Sequence, residues 1–536
     1  MTAERAALAV GLLLTLGIAV LAVRFQGDAG PLWRDEVNSV NVAARSPLAA
    51  VIAAAPYDSF PLAWPLTLHA WIAAGLGESD AALRLLGTTI ALATLAVVWW
   101  AGWRLEIGVP LVTLLLFGLS PSQIVYGAQV RGYGLGALAI VWCSGATWAF
   151  LRAPTRARFA VLLVATLLAV QTYFANAFLV VALALGAAAA TLPRRRWAAL
   201  GGVMGAYAVG AASVLLNLPS FRYALEVAPV EQSAPPLSLQ LGVFVHALAP
   251  GAWPLAAAWV VAPALAIAGL AWTRWRGGER LDDPRPDLAA FVLVTGLAAL
   301  VTYFFYLSQV AKLPTQFWYY LSLMGVLALV CDVGTDLLAR RWRHGPLARV
   351  VAVAAVALGA AAPVTEIVRL RMTNLDLVAA TVARDAKPSD LVVVFPWYVG
   401  ITFDRYHRGD VPWITLPEPS DHDLHVHLEI RDRLRRGADG VAGELARVES
   451  VLRAGSAVWL VGEPMSPPPG QPAPSLPPAP NAPTGWRAGP YLDMWELQLG
   501  ALLRAHAVAV ERMPLPDAGP VNAWENPPLY RATGWR

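Results

Sequence analysis

The chain has 536 residues, of which 57% are hydrophobic and 14% charged, with a net charge of +4. A soluble globular protein carries about a quarter charged residues, so this composition excludes an ordinary soluble domain and points to the bilayer. The small basic excess sits in short clusters between apolar runs, which fits membrane topology and excludes nucleic acid as a partner.

A helix needs about twenty apolar residues to cross the hydrocarbon core. Eleven spans are predicted, near 6–25, 84–103, 107–121, 132–151, 158–174, 176–192, 197–217, 252–273, 288–307, 317–338 and 347–363. The first is read as a retained helix, because no small-x-small cleavage site followed by a soluble domain comes after it. The third is short. The fifth and sixth share one apolar stretch, split at Gln171-Thr172-Tyr173-Phe174-Ala175-Asn176, where a tight turn fits. Cys143 and Cys331 both lie inside apolar runs, so no disulfide framework is predicted.

Two connecting segments are too long to be simple links. The first, 26–83, holds the acidic pair Asp35-Glu36 in Leu32-Trp33-Arg34-Asp35-Glu36, shortly after the first span. It also holds two amphipathic stretches, Pro47–Ala55 and Trp64–Leu76, read as surface helices with Trp64 and Trp71 at the membrane interface. The second, 218–251, is proline-rich and contains Phe221, Arg222, Tyr223 and His246. From Glu366 onward charges return, with β-type runs at 391–395 and 457–461 and a charged helix over His427–Leu452. The predicted fold class is therefore a polytopic α-helical membrane protein, residues 1–365, with a C-terminal α/β domain, 366–536. Within that domain, 464–483 reads as an extended, mobile proline-rich segment.

Charge orients the whole. Sixteen Lys and Arg residues fall on one side, at 5, 104, 152, 156, 158, 194–196, 274, 276, 280, 285, 340, 341, 343 and 349. The other side has five, Arg34, Arg45, Arg131, Arg222 and Lys312, on longer loops. By the positive-inside rule this places the N-terminus in the cytoplasm and the C-terminal domain outside an inner (plasma) membrane.

Charged residues where a loop meets the bilayer are expensive and are functional candidates. Either Asp35 or Glu36 can take a proton from an incoming hydroxyl; the plainer reading is a solvated loop in which Asp35 caps the following helix. Arg131, in Gln129-Val130-Arg131-Gly132-Tyr133 after Ser120-Pro121 and Tyr126, is the sole cation of its loop. A guanidinium suits a phosphate, and equally anchors to lipid headgroups. Lys312 is again the sole cation of its loop, and its plainer reading is snorkelling. His422, His425 and His427, interleaved with Asp421 and Asp423, fit no standard zinc spacing and read as a polar loop.

The order of these features resembles the GT-C glycosyltransferases, nearest to glycosyltransferase family 39 with its protein O-mannosyltransferases and lipid A aminoarabinose transferases. The resemblance rests on Asp35-Glu36, on Phe60 to Trp71 with His69, on Gly77-Glu78-Ser79 and Arg84, and on Ser120-Pro121, Tyr126 and Arg131-Gly132-Tyr133. It covers 1–150, with the remaining spans alike in architecture only. Relatives often carry an acidic residue where this chain has Gln129, and Arg-Tyr at the start of a late span where it has Trp318-Tyr319-Tyr320; the Trp-Trp-Asp motif of oligosaccharyltransferases is absent.

The resemblance implies inverting transfer of a sugar from a polyprenyl phosphate to a hydroxyl of a protein, lipid or glycan. Asp35, with Glu36, would be catalytic, Arg131 and Lys312 would hold the donor phosphate, and Arg34, His69, Tyr126, Gln129 and Tyr133 would line the substrate. No cofactor is implied, and no metal is expected. The alternatives are a transporter or flippase of lipid-linked precursors, or an inactive member that binds lipid, a reading that Gln129 keeps open. Reporter fusions after Arg196, Arg280 and Asp390 should read cytoplasmic, cytoplasmic and extracytoplasmic; a cytoplasmic reading at Asp390 would overturn the topology.

Overall fold

Long apolar runs with no water to satisfy their backbone can only form helices. The computed structural model describes residues 2–231, 235–276, 285–312, 314–482 and 486–536; Arg280, Leu313 and Pro483 lie outside them. Among the described residues nine helices are long and apolar enough to cross a membrane, so the protein is a polytopic helical membrane protein. They correspond to nine of the eleven expected spans. The fifth, Arg156–Thr172, is a continuous helix of 17 residues, just under that length. The third is not a single helix. It runs as Leu111–Thr113, a π-turn over Leu114–Gly118, then Pro121–Gly127, because Leu119-Ser120 interrupts it before the proline.

The chain divides into two compact units, Met1–Gly27, Phe60–Leu218 and Ala234–Arg369 in one, and Asp28–Ser59, Pro219–Ser233 and Leu370–Arg536 in the other. In the first unit, Gly132–Arg152 and Phe317–Ala339 are interior, 89% and 83% buried over their apolar stretches, whereas Ala3–Asp28 and Gly345–Ile367 are only 22% buried. Small residues let helices close up where lipid removes the hydrophobic drive between them. A Cβ on Gly269 would lie 2.2 Å from the Gly334 carbonyl oxygen, and one on Gly186 would lie 2.1 Å from Thr295 Oγ1.

One ion network ties the broken span to its neighbours. Asp332, fully buried, accepts from the Thr113 N–H (2.9 Å) and hydroxyl (2.8 Å) and pairs with Arg349. Asp336 takes Arg349 at 3.3 Å and Arg340 at 2.6 Å. Trp64 departs from expectation. It is fully buried, edge-on to Phe60 with centroids 6.3 Å apart, because the Asn217 side chain accepts the Leu62 N–H (3.0 Å) and fixes the Ala63–Trp71 helix with this face inward. Trp71 is half-buried, its indole N–H on the Ala82 carbonyl at 3.0 Å.

The second unit holds a five-stranded sheet in the order β2-β1-β3-β5-β4, formed by β1 (Leu391–Val394), β2 (Trp413–Thr415), β3 (Val458–Val461), β4 (Ala509–Arg512) and β5 (Leu529–Thr533). β1 runs parallel to β2 and β3, while β5 is antiparallel to both β3 and β4. Leu391 and Val393 face one apolar cluster and Val392 and Val394 the other, so the unbroken apolar run is that of a strand covered on both faces. The charged helix expected over His427–Leu452 is two, His427–Leu434 and Ala442–Arg453, joined by a 3-10 turn. The proline-rich segment is extended but not loose. The Ala479 N–H bonds the Leu434 carbonyl (3.0 Å), and Leu476 packs on the core, so its few apolar residues pin it. The segment 218–251 is mainly helical, Leu218–Glu231 and Leu237–Leu248.

Arg349→Leu would strand the buried Asp332 without its charge partner and should cost about 3–5 kcal/mol. Thermal unfolding of the purified protein in detergent should show a lower midpoint, partly restored by adding Asp332→Leu. An unchanged midpoint would mean that the network contributes nothing to stability.

Candidate functional site

The acidic pair lies at the start of a helix held by distant parts of the second unit. After the first span, α1 (Ala3–Asp28), the chain turns at Gly30, with φ +64, where a Cβ would sit 3.1 Å from the Arg371 guanidinium. The Met372 N–H then bonds the Ala29 carbonyl (2.8 Å), and the Leu32 N–H bonds the Tyr406 hydroxyl (2.7 Å). Trp33 is extended and buried, and the helix α2 follows over Arg34–Ala43.

The first N–H groups of a helix have no partner inside it. Here two carboxylates supply partners. Glu36, at the third helical position, reaches back to the Trp33 N–H (3.3 Å). Glu525 takes the Arg34 N–H through both oxygens, at 3.1 and 3.3 Å. The cap thus falls to Glu36 and not to Asp35, because the third position is the one that can fold back onto the residue before the helix. Glu36 and Glu525 are buried side chains, whereas the Asp35 side chain is 23% exposed.

Arg34 joins the group. Its guanidinium donates to the Trp524 carbonyl (2.5 Å), lies 3.5 Å from Glu525 and 3.8 Å from Asp35, and covers the Tyr398 ring at 4.8 Å. Burial pushes the Glu525 carboxyl up to about 7, against the opposing pull of Arg34 and its N–H. One helix start therefore carries three carboxylates and one guanidinium, and of the three carboxylates Asp35 is the partly exposed one.

A second cluster lies in the first unit. Arg131 precedes the helix Gly132–Arg152, is 4% exposed, and stands over Phe60 at 4.7 Å and Tyr133 at 5.9 Å from the ring centroids. Gly132 permits this approach, since a Cβ there would lie 2.6 Å from the Phe60 ring. Tyr133 also meets Tyr173 (5.5 Å), Tyr319 (6.0 Å) and Trp318 (6.5 Å), and Tyr126 meets Trp318 at 4.8 Å. Arg131, Tyr126 and Tyr133 thus share one aromatic wall, with Gln129 buried nearby in sequence. A guanidinium in such low-dielectric surroundings is suited to an anion, because charge-assisted hydrogen bonds strengthen away from water. Lys312 is outside this buried wall: it is exposed, left-handed (φ 51), and ends the π-turn Tyr306–Ala311. His69 is half-buried on the Ala63–Trp71 helix.

Sequence reasoning missed Glu525, Tyr398, Tyr406 and Tyr173. No local motif marks them, since each reaches its partner only through the fold. The histidine loop holds by ring contacts: His422 stacks on Trp413 at 4.2 Å and lies 3.3 Å from Glu418, and His425 and His427 meet Trp397 edge-on. Among the described residues, no group of three or more His, Cys, Asp or Glu is arranged to hold a metal ion.

No protein-family model and no curated protein matches the chain. Among solved structures it is similar to ArnT from Cupriavidus metallidurans bound to undecaprenyl phosphate, at 13% identity over 83% of this chain and 92% of that one, with a TM-score of 0.47. The apo state of that protein gives 14% identity over the same shares and a TM-score of 0.49. The Archaeoglobus fulgidus oligosaccharyltransferase, in complex with Zn and sulfate, gives 11% over 84% of this chain and 68% of that one, with a TM-score of 0.44.

Proposed function

We propose that the protein is a membrane glycosyltransferase that moves a sugar from a polyprenyl phosphate to an acceptor hydroxyl, with inversion, on the extracytoplasmic face. The observation that carries this reading is the division of the carboxylates at α2. Glu36 and Glu525 are buried in backbone hydrogen bonds, whereas the Asp35 side chain is partly exposed, and we assign it the acceptor's proton. The acceptor oxygen bonds to the anomeric carbon as the bond from that carbon to the phosphate oxygen breaks. The acceptor proton passes to Asp35, and the polyprenyl phosphate departs as an anion. Negative charge grows on the departing oxygen, and a fixed cation lowers the barrier most where charge develops. Arg131 fits that role by its planar fork of donors, and its aromatic surroundings restrict the directions it can take. Tyr126, Tyr133 and Gln129 would line the substrate, with Arg34 and His69. Lys312, being exposed, is left the lesser role of attracting the donor.

Purified variants and a panel of labelled undecaprenyl-phosphate hexoses and pentoses test this. Asp35→Asn keeps the shape and removes the base, and should slow transfer by about 10²–10⁴-fold. Glu36→Gln should act mainly through stability, lowering the thermal midpoint with a smaller loss of turnover per folded molecule. Near-normal transfer by folded Asp35→Asn would reject the assignment.

Arg131 separates transfer from transport. Arg131→Lys should retain part of the activity and Arg131→Ala very little, with donor binding weakened less than turnover, since only interactions that strengthen in the transition state speed the chemistry. A transporter would form no sugar–acceptor product in any variant, and its binding and flux would fall together. Unchanged binding and turnover in Arg131→Ala would make it an anchor only.

A further inference from the structure

In the first unit, the helices Trp253–Arg276 and Gly345–Ile367 flank a groove of about 630 Å³. Over their apolar stretches they are only 33% and 22% buried, so the groove faces lipid. Its origin lies in where these helices touch. Trp253–Arg276 meets Gly345–Ile367 at Pro254, where a Cβ on Gly359 would lie 3.6 Å from the proline ring. Further along it meets Leu321–Ala339 instead, with Gly269 against the Gly334 carbonyl. Between these contacts the two flanking helices part, and the residues that face the gap are too small to fill it: Ala258 and Ala262 on one side, Ala348, Ala352 and Ala355 on the other.

The groove is polar at one end only. Besides two tryptophans, Thr335 and Arg349 are the polar side chains lining it among the described residues, and both lie where Leu321–Ala339 finishes and Gly345–Ile367 begins. The exposed Trp342 and Trp253 mark its two ends, in the manner of tryptophans at the two membrane interfaces. From Gly345 to Gly359 it follows the helix for about 21 Å, over half of a hydrocarbon core about 30 Å thick. That shape suits a single extended hydrocarbon chain.

Charge selects the headgroup. Arg340, Arg341, Arg343 and Arg349 fall within 340–349, a stretch with no acid. Arg349 pairs with Asp332 and Asp336, Arg340 pairs with Asp336, and Arg341 donates to the Thr273 hydroxyl (2.9 Å). Arg343 is exposed beside Trp342 and has neither a hydrogen bond nor an ion pair among the described residues. Basic pockets between spans on the cytoplasmic side take anionic lipid headgroups, and the charge bias expects this end on that side.

We propose that the groove binds an anionic phospholipid, with one acyl chain between Trp253–Arg276 and Gly345–Ile367 and the phosphate against Arg343. The polyprenyl donor is a poorer match, because the proposed reaction has its phosphate at the opposite face.

Native mass spectrometry of the full-length protein in detergent tests this, with dioleoyl phosphatidylglycerol, dioleoyl phosphatidylcholine and undecaprenyl phosphate added singly and in pairs. Phosphatidylglycerol should bind more tightly than phosphatidylcholine and raise the thermal midpoint more. Arg343→Gln should weaken phosphatidylglycerol by about fivefold and leave phosphatidylcholine unchanged. Ala352→Phe fills the groove and should weaken both; should it fail to fold, Ala258→Phe on the facing helix must do the same. Equal affinity for the two phospholipids, or an undiminished preference in Arg343→Gln, would overturn the headgroup assignment and the proposal with it. Unchanged binding in the filled variants would place the lipid elsewhere on the surface. If undecaprenyl phosphate displaces phosphatidylglycerol at equal concentration, the groove belongs to the carrier and the proposal fails.

Discussion

Every backbone polar group that leaves water must find a partner, and the structure follows from how each segment meets that demand. In the membrane spans the answer is internal: a helix satisfies itself and exposes only side chains to lipid. Where the third span begins, at Leu111, the N–H groups of its first turn have no partner within the helix. The Thr113 N–H is taken by Asp332, a carboxylate from another helix, whose charge is met by Arg349. One helix start thus sets up an ion network across three helices.

The same demand shapes the start of α2. Its first N–H groups cannot be satisfied from within, and side chains take them in place of water. Glu36 answers from inside the helix and Glu525 from the far end of the chain, so the geometry of this turn depends on the folding of the soluble domain. Tyr406 adds to this by bonding Leu32 on both its N–H (2.7 Å) and its carbonyl (3.3 Å). Further along the helix, Asn38 donates to the Tyr57 carbonyl and accepts the His425 N–H, and Ser39 bonds Asp58. α2 is held along its length by contacts with residues outside it.

The reach of the sequence is uneven for a related reason. Helical spans were legible because hydrophobic length is a local property; the fifth was expected at 17 residues and has 17, and the third, expected as one short span, is broken. β1 and β3 were legible as unbroken apolar runs. β2 is three residues long, and β4 is largely exposed, so neither carries a run to read. Trp64 was misplaced because a tryptophan beside a membrane reads as interfacial, and only Asn217, far along the chain, turns its helix inward. In the candidate site Asp35, Glu36 and Arg131 could be picked out as rare charges at span ends. Their divided roles could not, since these depend on Glu525 reaching Arg34 and on Phe60 lying beneath Arg131, contacts that are purely tertiary.

That division has a physical consequence for the acidic pair. Two neighbouring carboxylates on a first helical turn repel each other, and both gain from the positive end of the helix dipole. They are chemically alike until the fold distinguishes them. Glu36 is fully buried and committed to the Trp33 N–H, so removing its charge or its direction disturbs the helix start. Asp35 sits one residue earlier, on a face that stays partly open, next to a guanidinium shared with a second acid. Arginine can fill the shared place because its fork of donors reaches two acceptors while its plane lies on Tyr398. A lysine would bring the charge to a single point and lose the plane. The arrangement therefore sets one guanidinium between two acids, 3.8 Å from the partly exposed Asp35 and 3.5 Å from the buried Glu525.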